Sequence, residues 1–135
     1  MTMIPASKRI YDRGEDRFKH CWSNPYPGFL PGRRGHIGKC SKRITDAIAT
    51  ELLQTGIHDE ADINERDDGG IYPSKVYNVH QGTIYVAVPT QPGISFHGYP
   101  VQGRLPRKLL KRLRELAEAH GCLREYDKWV KEYIV

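Results

Sequence analysis

The chain has 135 residues, a net charge of +5, 39% hydrophobic residues and a mean hydropathy of −0.62. That length suits one domain with one core, and no apolar run approaches the roughly 20 residues a membrane-spanning helix needs. Cys21, Cys40 and Cys122 are an odd number of cysteines, which argues against a full disulfide framework and fits three thiols in a reducing compartment. The opening residues, Met1 to Arg9, lack a basic-then-apolar signal pattern, so a cytoplasmic protein with no membrane partner is expected.

Charge is unevenly distributed. Residues 1–43 carry ten Lys/Arg against three acids, residues 44–73 one against eight, residues 105–135 eight against five. Between Ser74 and Arg104 there are only two cations, Lys75 and Arg104, and no acid. Basic ends around a nearly uncharged middle suit a polyanion such as RNA or DNA; the alternative is charge that serves solvation alone.

In chain order, residues 1–40 read as an irregular basic arm and loop. Lys19 to Ser41 is rich in proline and glycine, which forbids a continuous helix or central strand, yet Trp22, Tyr26, Phe29 and Leu30 are apolar enough to pin it to a core. Its polar tip holds Arg33, Arg34, His36 and Lys39, candidate phosphate contacts at the start of the following helix. The spacing does not fit a nucleotide-binding P-loop, because Arg33 stands where the first glycine belongs and Cys40 where the hydroxyl belongs. His20, Cys21, His36 and Cys40 also form a ligand set that zinc accepts, at a spacing unlike any standard finger.

A helix over residues 41–56 follows from Ser41 as N-cap, apolar Ile44, Ala47, Ile48 and Leu52 at helical spacing, and Gly56 as the stop. His58 to Gly70 reads as a solvated acidic loop. Residues 74–104 predict an antiparallel meander of about three strands: Val76 to His80, Thr83 to Val88 and Ile94 to Tyr99. Gln81-Gly82 supplies the first turn, and Pro89 to Gly93 the second bend. The middle run is apolar almost throughout, as a strand covered on both faces requires. Two helices fill residues 105–135, each with one apolar stripe. The expected fold is α+β: a small antiparallel sheet of about three strands covered by three helices, behind a long irregular Gly/Pro-rich N-terminal segment.

The sheet also offers chemistry. Imidazoles exchange protons near neutrality, so His97 and His80, with Ser95 and Tyr99 beside them, are candidates to move the protons when a ribose 2′-hydroxyl attacks its neighbouring phosphate. Arg33 and Arg34 would hold that phosphate. The stretch Gly82 to Pro100, with Ser95-Phe96-His97-Gly98-Tyr99 at its end, resembles sheet segments of the small metal-independent ribonuclease domains of bacterial polymorphic toxins, of barnase-like or colicin type. The likeness covers less than one-fifth of the chain. It implies a toxin-like bacterial hydrolase that cleaves RNA with no cofactor, and an acidic antitoxin or immunity protein as partner. The other class of function is a basic module that binds nucleic acid or protein without catalysis.

Overall fold

The computed structural model describes residues 2–12, 21–32 and 35–134. Nine strands and three α-helices form among these residues: β1 (Thr2–Met3), a 3-10 turn (Ala6–Lys8), β2 (Ile10–Tyr11), β3 (Gly28–Gly32), β4 (Gly35–Lys39), α1 (Asp46–Thr55), β5 (Ile63–Glu65), β6 (Gly70–Pro73), β7 (Val76–His80), β8 (Thr83–Gln91), β9 (Ser95–Pro100), α2 (Arg107–Ala119) and α3 (Leu123–Tyr133). They make three sheets, ordered β1-β6-β5, β2-β9-β8-β7 and β3-β4.

This overturns the expected single sheet of about three strands. The meander does form, but β2 joins it in parallel through Ile10↔Ser95 and Tyr11↔Phe96. The residues expected as an irregular arm contribute four strands to all three sheets, and the stretch expected as an acidic loop contains β5 and leads straight into its hairpin partner β6. The physical reason is that these strands are two to five residues long. At that length a strand has no readable alternation and is held by its non-local pairing rather than by its own sequence.

The meander begins at the Gln81-Gly82 turn. Both residues have positive φ, 51° and 86°, the geometry of a type I′ turn whose twist matches the flanking strands. Val79↔Ile84 and Tyr77↔Val86 then set the register. With period two, Tyr77, Val79, Ile84 and Val86 face α2 and α3, where Leu109, Leu113, Ala117, Tyr126 and Trp129 complete the main core. Val76 and Phe96 meet Leu53 of α1 on the opposite side. Full burial of Ile84 and Phe96, both 0% exposed, contributes about 1.5–3 kcal/mol each. The second bend lies further on than expected. Pro89 stays in β8 opposite Phe96, at an irregularity between Pro89 and Gln91 that tolerates its missing N–H, and the turn closes through Ile94 N–H donating to Gln91 O at 2.9 Å.

The N-cap of α1 is Thr45, whose Oγ1 accepts from Ile48 N–H at 3.2 Å. Ser41 instead makes a local turn, accepting from Arg43 N–H at 3.1 Å. Gly56 ends the helix with an extended φ of −73°. A glycine is needed there for closeness: a Cβ would stand 2.5 Å from Val76 Cγ1 and 2.7 Å from Tyr77 O. The last carbonyls of α1 find buried donors, Asn78 Nδ2 to Leu52 O and Arg9 Nη1 to Leu53 O, each at 3.0 Å. Arg9 is therefore not part of a cationic surface. Its burial costs charge stability, holding its pKa below the usual guanidinium range, while the charged donor ties the N-terminal strands to α1.

A Cβ on Gly82 would come within 2.3 Å of Glu125 Cβ and 2.6 Å of Glu125 C, besides facing the positive φ. Gly121, φ 72°, has nothing within 4 Å. Gly82→Ala is expected to destabilise by about 2–4 kcal/mol, adding overpacking to backbone strain, and Gly121→Ala by about 1 kcal/mol. Urea unfolding of the two variants checks this; equal losses would contradict the close seating of the turn on α3.

Candidate functional site

The strands and helices leave an open cleft of about 870 Å³ between the β3–β4 hairpin, the α2-facing side of the sheet, the turn around Asp59–Asp62 and the segment from Pro100 into α2. Each wall is fixed by a specific contact. Phe29 of β3 packs on Tyr133 of α3 with ring centroids 5.1 Å apart. Gly38 of β4 lies so close to Pro100 that a Cβ would stand 2.8 Å from its carbonyl oxygen. Gly103 N–H donates to Tyr133 O at 2.9 Å, which holds the segment after β9. Ile57 and Tyr77 exchange two backbone bonds, Ile57 N–H to Tyr77 O at 2.8 Å and Tyr77 N–H to Ile57 O at 2.7 Å, placing the acidic turn beside β7.

Into this cleft come His36, Lys75, Tyr77, Tyr99, Arg104, Asp59 and Asp62. His36, Lys75 and Arg104 are exposed, Tyr99 is half-buried and Tyr77 buried. Burial pushes the Tyr99 phenol above its ordinary range. Burial, and then the neighbouring Asp62, Tyr99 and Asp59, push Tyr77 up to about 12. A phenol is protonated at neutral pH in any case, so both can donate a hydrogen bond to a group in the cleft. Asp62 is engaged by the hydroxyl of Ser74. The start of α2 opens on the same cleft through Leu105, Pro106 and Leu109. That helix has no side-chain cap and no acid in its first turn, so its leading N–H groups and dipole favour an anion there.

The sequence-derived candidates divide. His36 and Tyr99 share the cleft. His97 lies earlier on β9, hydrogen-bonded through Nδ1 to Thr90 Oγ1 at 2.8 Å, and Ser95 is buried, its Oγ accepting from Gln91 N–H at 3.2 Å. His80 stands at a separate cleft with Glu51 and His120. Since His97 pairs with Val88 and His80 with Thr83, five residues of β8 and two strand spacings separate them, roughly 20 Å. That distance prevents them from acting as one acid and base pair. Lys39 sits at the base of the hairpin opposite Gly28. Arg33 and Arg34 lie outside the described residues, so their convergence with His97 does too.

Two further expectations change. The glycines before α1 are paired in β4, well ahead of its first residue Asp46, so no glycine-rich loop leads into that helix. The proposed zinc ligands are dispersed: His36 and Cys40 are four strand steps apart, about 13 Å, too far to share one ion, and His20 lies outside the described residues. Among the described residues no group of three or more His, Cys, Asp or Glu could hold a metal, and no helix is long and apolar enough to cross a membrane.

Sequence reasoning did not assign Lys75, Tyr77, Arg104, Asp59 or Asp62 to a site. A signal existed for two of them, because Lys75 and Arg104 are the only charges in the acid-free stretch from Ser74 to Arg104. The basic side of α2 is partly consumed: Arg112 donates to His58 O at 2.9 Å, and Arg114 forks onto Asp127 at 3.1 and 3.0 Å. No family model, no curated protein and no solved structure matches the chain.

The buried phenols give a pH signature. Tyr77 and Tyr126 both rise to about 12, in each case chiefly through burial, whereas an unfolded tyrosine ionises near 10. Between those values the unfolded chain holds fewer protons, so stability is complete below pH 10 and falls as pH rises towards 12. Urea midpoints measured from pH 9 to 11.5 should show this decline, and Tyr77→Phe should make it shallower. A flat profile would contradict the buried state of these groups.

Proposed function

We propose that the chain is a small metal-independent ribonuclease, toxin-like in kind, that works in the cleft between the β3–β4 hairpin and the start of α2. The observation that carries this reading is the meeting of an imidazole, a protonated phenol, an amine and a guanidinium, from His36, Tyr99, Lys75 and Arg104, in one cleft. In this reading Arg104 and the leading N–H groups of α2 hold the scissile phosphate. His36 takes the proton from the ribose 2′-hydroxyl as its oxygen attacks phosphorus. Tyr99, protonated at neutral pH as a phenol is, gives a proton to the departing 5′-oxygen. The products are a 2′,3′-cyclic phosphate and a free 5′-hydroxyl, with every proton supplied and received by side chains.

Lys75 adds positive charge to the same cleft, while Asp59 and Asp62 in its lining oppose a second phosphate near them. This pattern favours a ligand held at one phosphate rather than a long polyanion lying through the cleft. The cationic rim is also the surface that an acidic antitoxin or immunity protein would cover.

RNA incubated with the protein in EDTA should be cut to cyclic-phosphate ends. Rates should fall by about 10²-fold or more in His36→Ala and Tyr99→Phe, and change little in His80→Ala. Salt-sensitive RNA binding without cleavage would replace this reading with a non-catalytic basic module, and activity that survives in His36→Ala would remove the cleft as its seat.

A further inference from the structure

Cys21 and Cys40 are register partners across an isolated parallel β-bridge. The pairing continues beyond them, because Lys42 N–H donates to Asn24 O at 2.8 Å. Partners in such a bridge present their Cβ atoms to the same side, with Cα atoms about 5 Å apart, inside the roughly 4.4–6.8 Å window of a disulfide. Both are free thiols here.

Their surroundings differ. Cys40 is buried and its Sγ–H donates to Gly98 O at 3.6 Å, whereas Cys21 is partly exposed. Burial, then the neighbouring Cys21, push the Cys40 thiol up to about 12, so it stays protonated and Cys21 reacts first. Cys122 is buried before α3 within the main core.

We propose that Cys21 and Cys40 form a redox modification site, joined by a low-molecular-weight disulfide of the glutathione type. Cys21, as thiolate, attacks one sulfur of the oxidant, forming a mixed disulfide and releasing the first small thiolate, which takes up a proton. Cys40 then gives its proton to solvent, and its sulfur attacks the Cys21 sulfur. The Cys21–Cys40 bond forms as the second small thiol departs. Two protein thiols lose two electrons, and one small disulfide becomes two thiols. The bond closes a loop of about 20 residues containing both strands of the β3–β4 hairpin, and so fixes the hairpin to the strand edge at Gly98. This inference does not depend on the reaction proposed for the cleft.

The test equilibrates the purified full chain with oxidised and reduced glutathione, quenches with acid and an alkylating agent, and reads intact mass, peptide map and melting temperature. The expected product has lost two hydrogens, carries a Cys21–Cys40 cross-link, leaves Cys122 as the remaining thiol and melts on the order of 10 °C higher, all reversed by dithiothreitol. Its formation should quicken as pH rises, since Cys40 must lose its proton. Cys122→Ser should still form it, and Cys21→Ser, at a partly exposed position that folding tolerates, should not. A lasting glutathione adduct on Cys21, a dimer linked through Cys21, or no oxidation at all would each overturn the proposal.

Discussion

The structure depends on β8 being covered on both faces. Ile84 and Val86 enter the core made by α2 and α3, while Tyr85 and Ala87 turn towards α1 on the other side. Over Thr83 to Val86, where every residue is buried, the strand meets water on neither face, so its partners must satisfy its backbone and its side chains must be largely apolar. β7 and β9 supply the backbone partners. The rest of the chain then has limited freedom: α1 must end against β7, which Gly56 permits, and α2 and α3 must lie across the opposite face. Trp129 Nε1 and Tyr126 OH find Val101 O and Leu110 O at 3.1 and 2.8 Å, so the polar ends of both rings are satisfied inside the core.

The cleft is a consequence of that arrangement. β9 carries Tyr99 on the α2-facing side and then runs out past Pro100, where the chain must cross to α2 over the end of the sheet. This crossing brings Arg104 and the uncapped start of α2 beside Tyr99. The β3–β4 hairpin, anchored by Phe29 on α3 and by Gly38 against Pro100, delivers His36 from the opposite wall. Chemistry-bearing groups from four separate stretches thus meet where packing leaves a gap, the common situation for sites built on rigid elements.

Legibility in the sequence followed the range of the interactions. The Gln81-Gly82 turn, the bounds of β7, the apolar middle run of β8 and the apolar stripes of α2 and α3 are local features, set by positive φ, alternation or helical spacing, and they were readable. β2 was not, because two residues pair in parallel with a strand 85 positions away and show no pattern of their own. The β3–β4 hairpin was hidden for another reason: Pro31 and its glycines exclude a central strand but not a two-stranded ribbon. For the site, residue type singled out His36 as a phosphate contact and Tyr99 as a catalytic candidate, and both line the cleft, yet it gave His80 and His97 equal standing. Only the register across β8 separates those two. Arg9 shows the same limit, since a basic arm looks solvated until its guanidinium is found buried against Leu53 O.

The proposed ribonuclease chemistry requires phosphate to bind where the start of α2 meets Arg104 and His36. An amide-shift titration of the full chain by NMR with a 3′-mononucleotide tests it most directly. Shifts are expected to concentrate at Gly103, Arg104, Arg107, Lys108 and His36, with none at Glu51, His80 or His120. Shifts confined to the His80 side, or absent throughout, would contradict it.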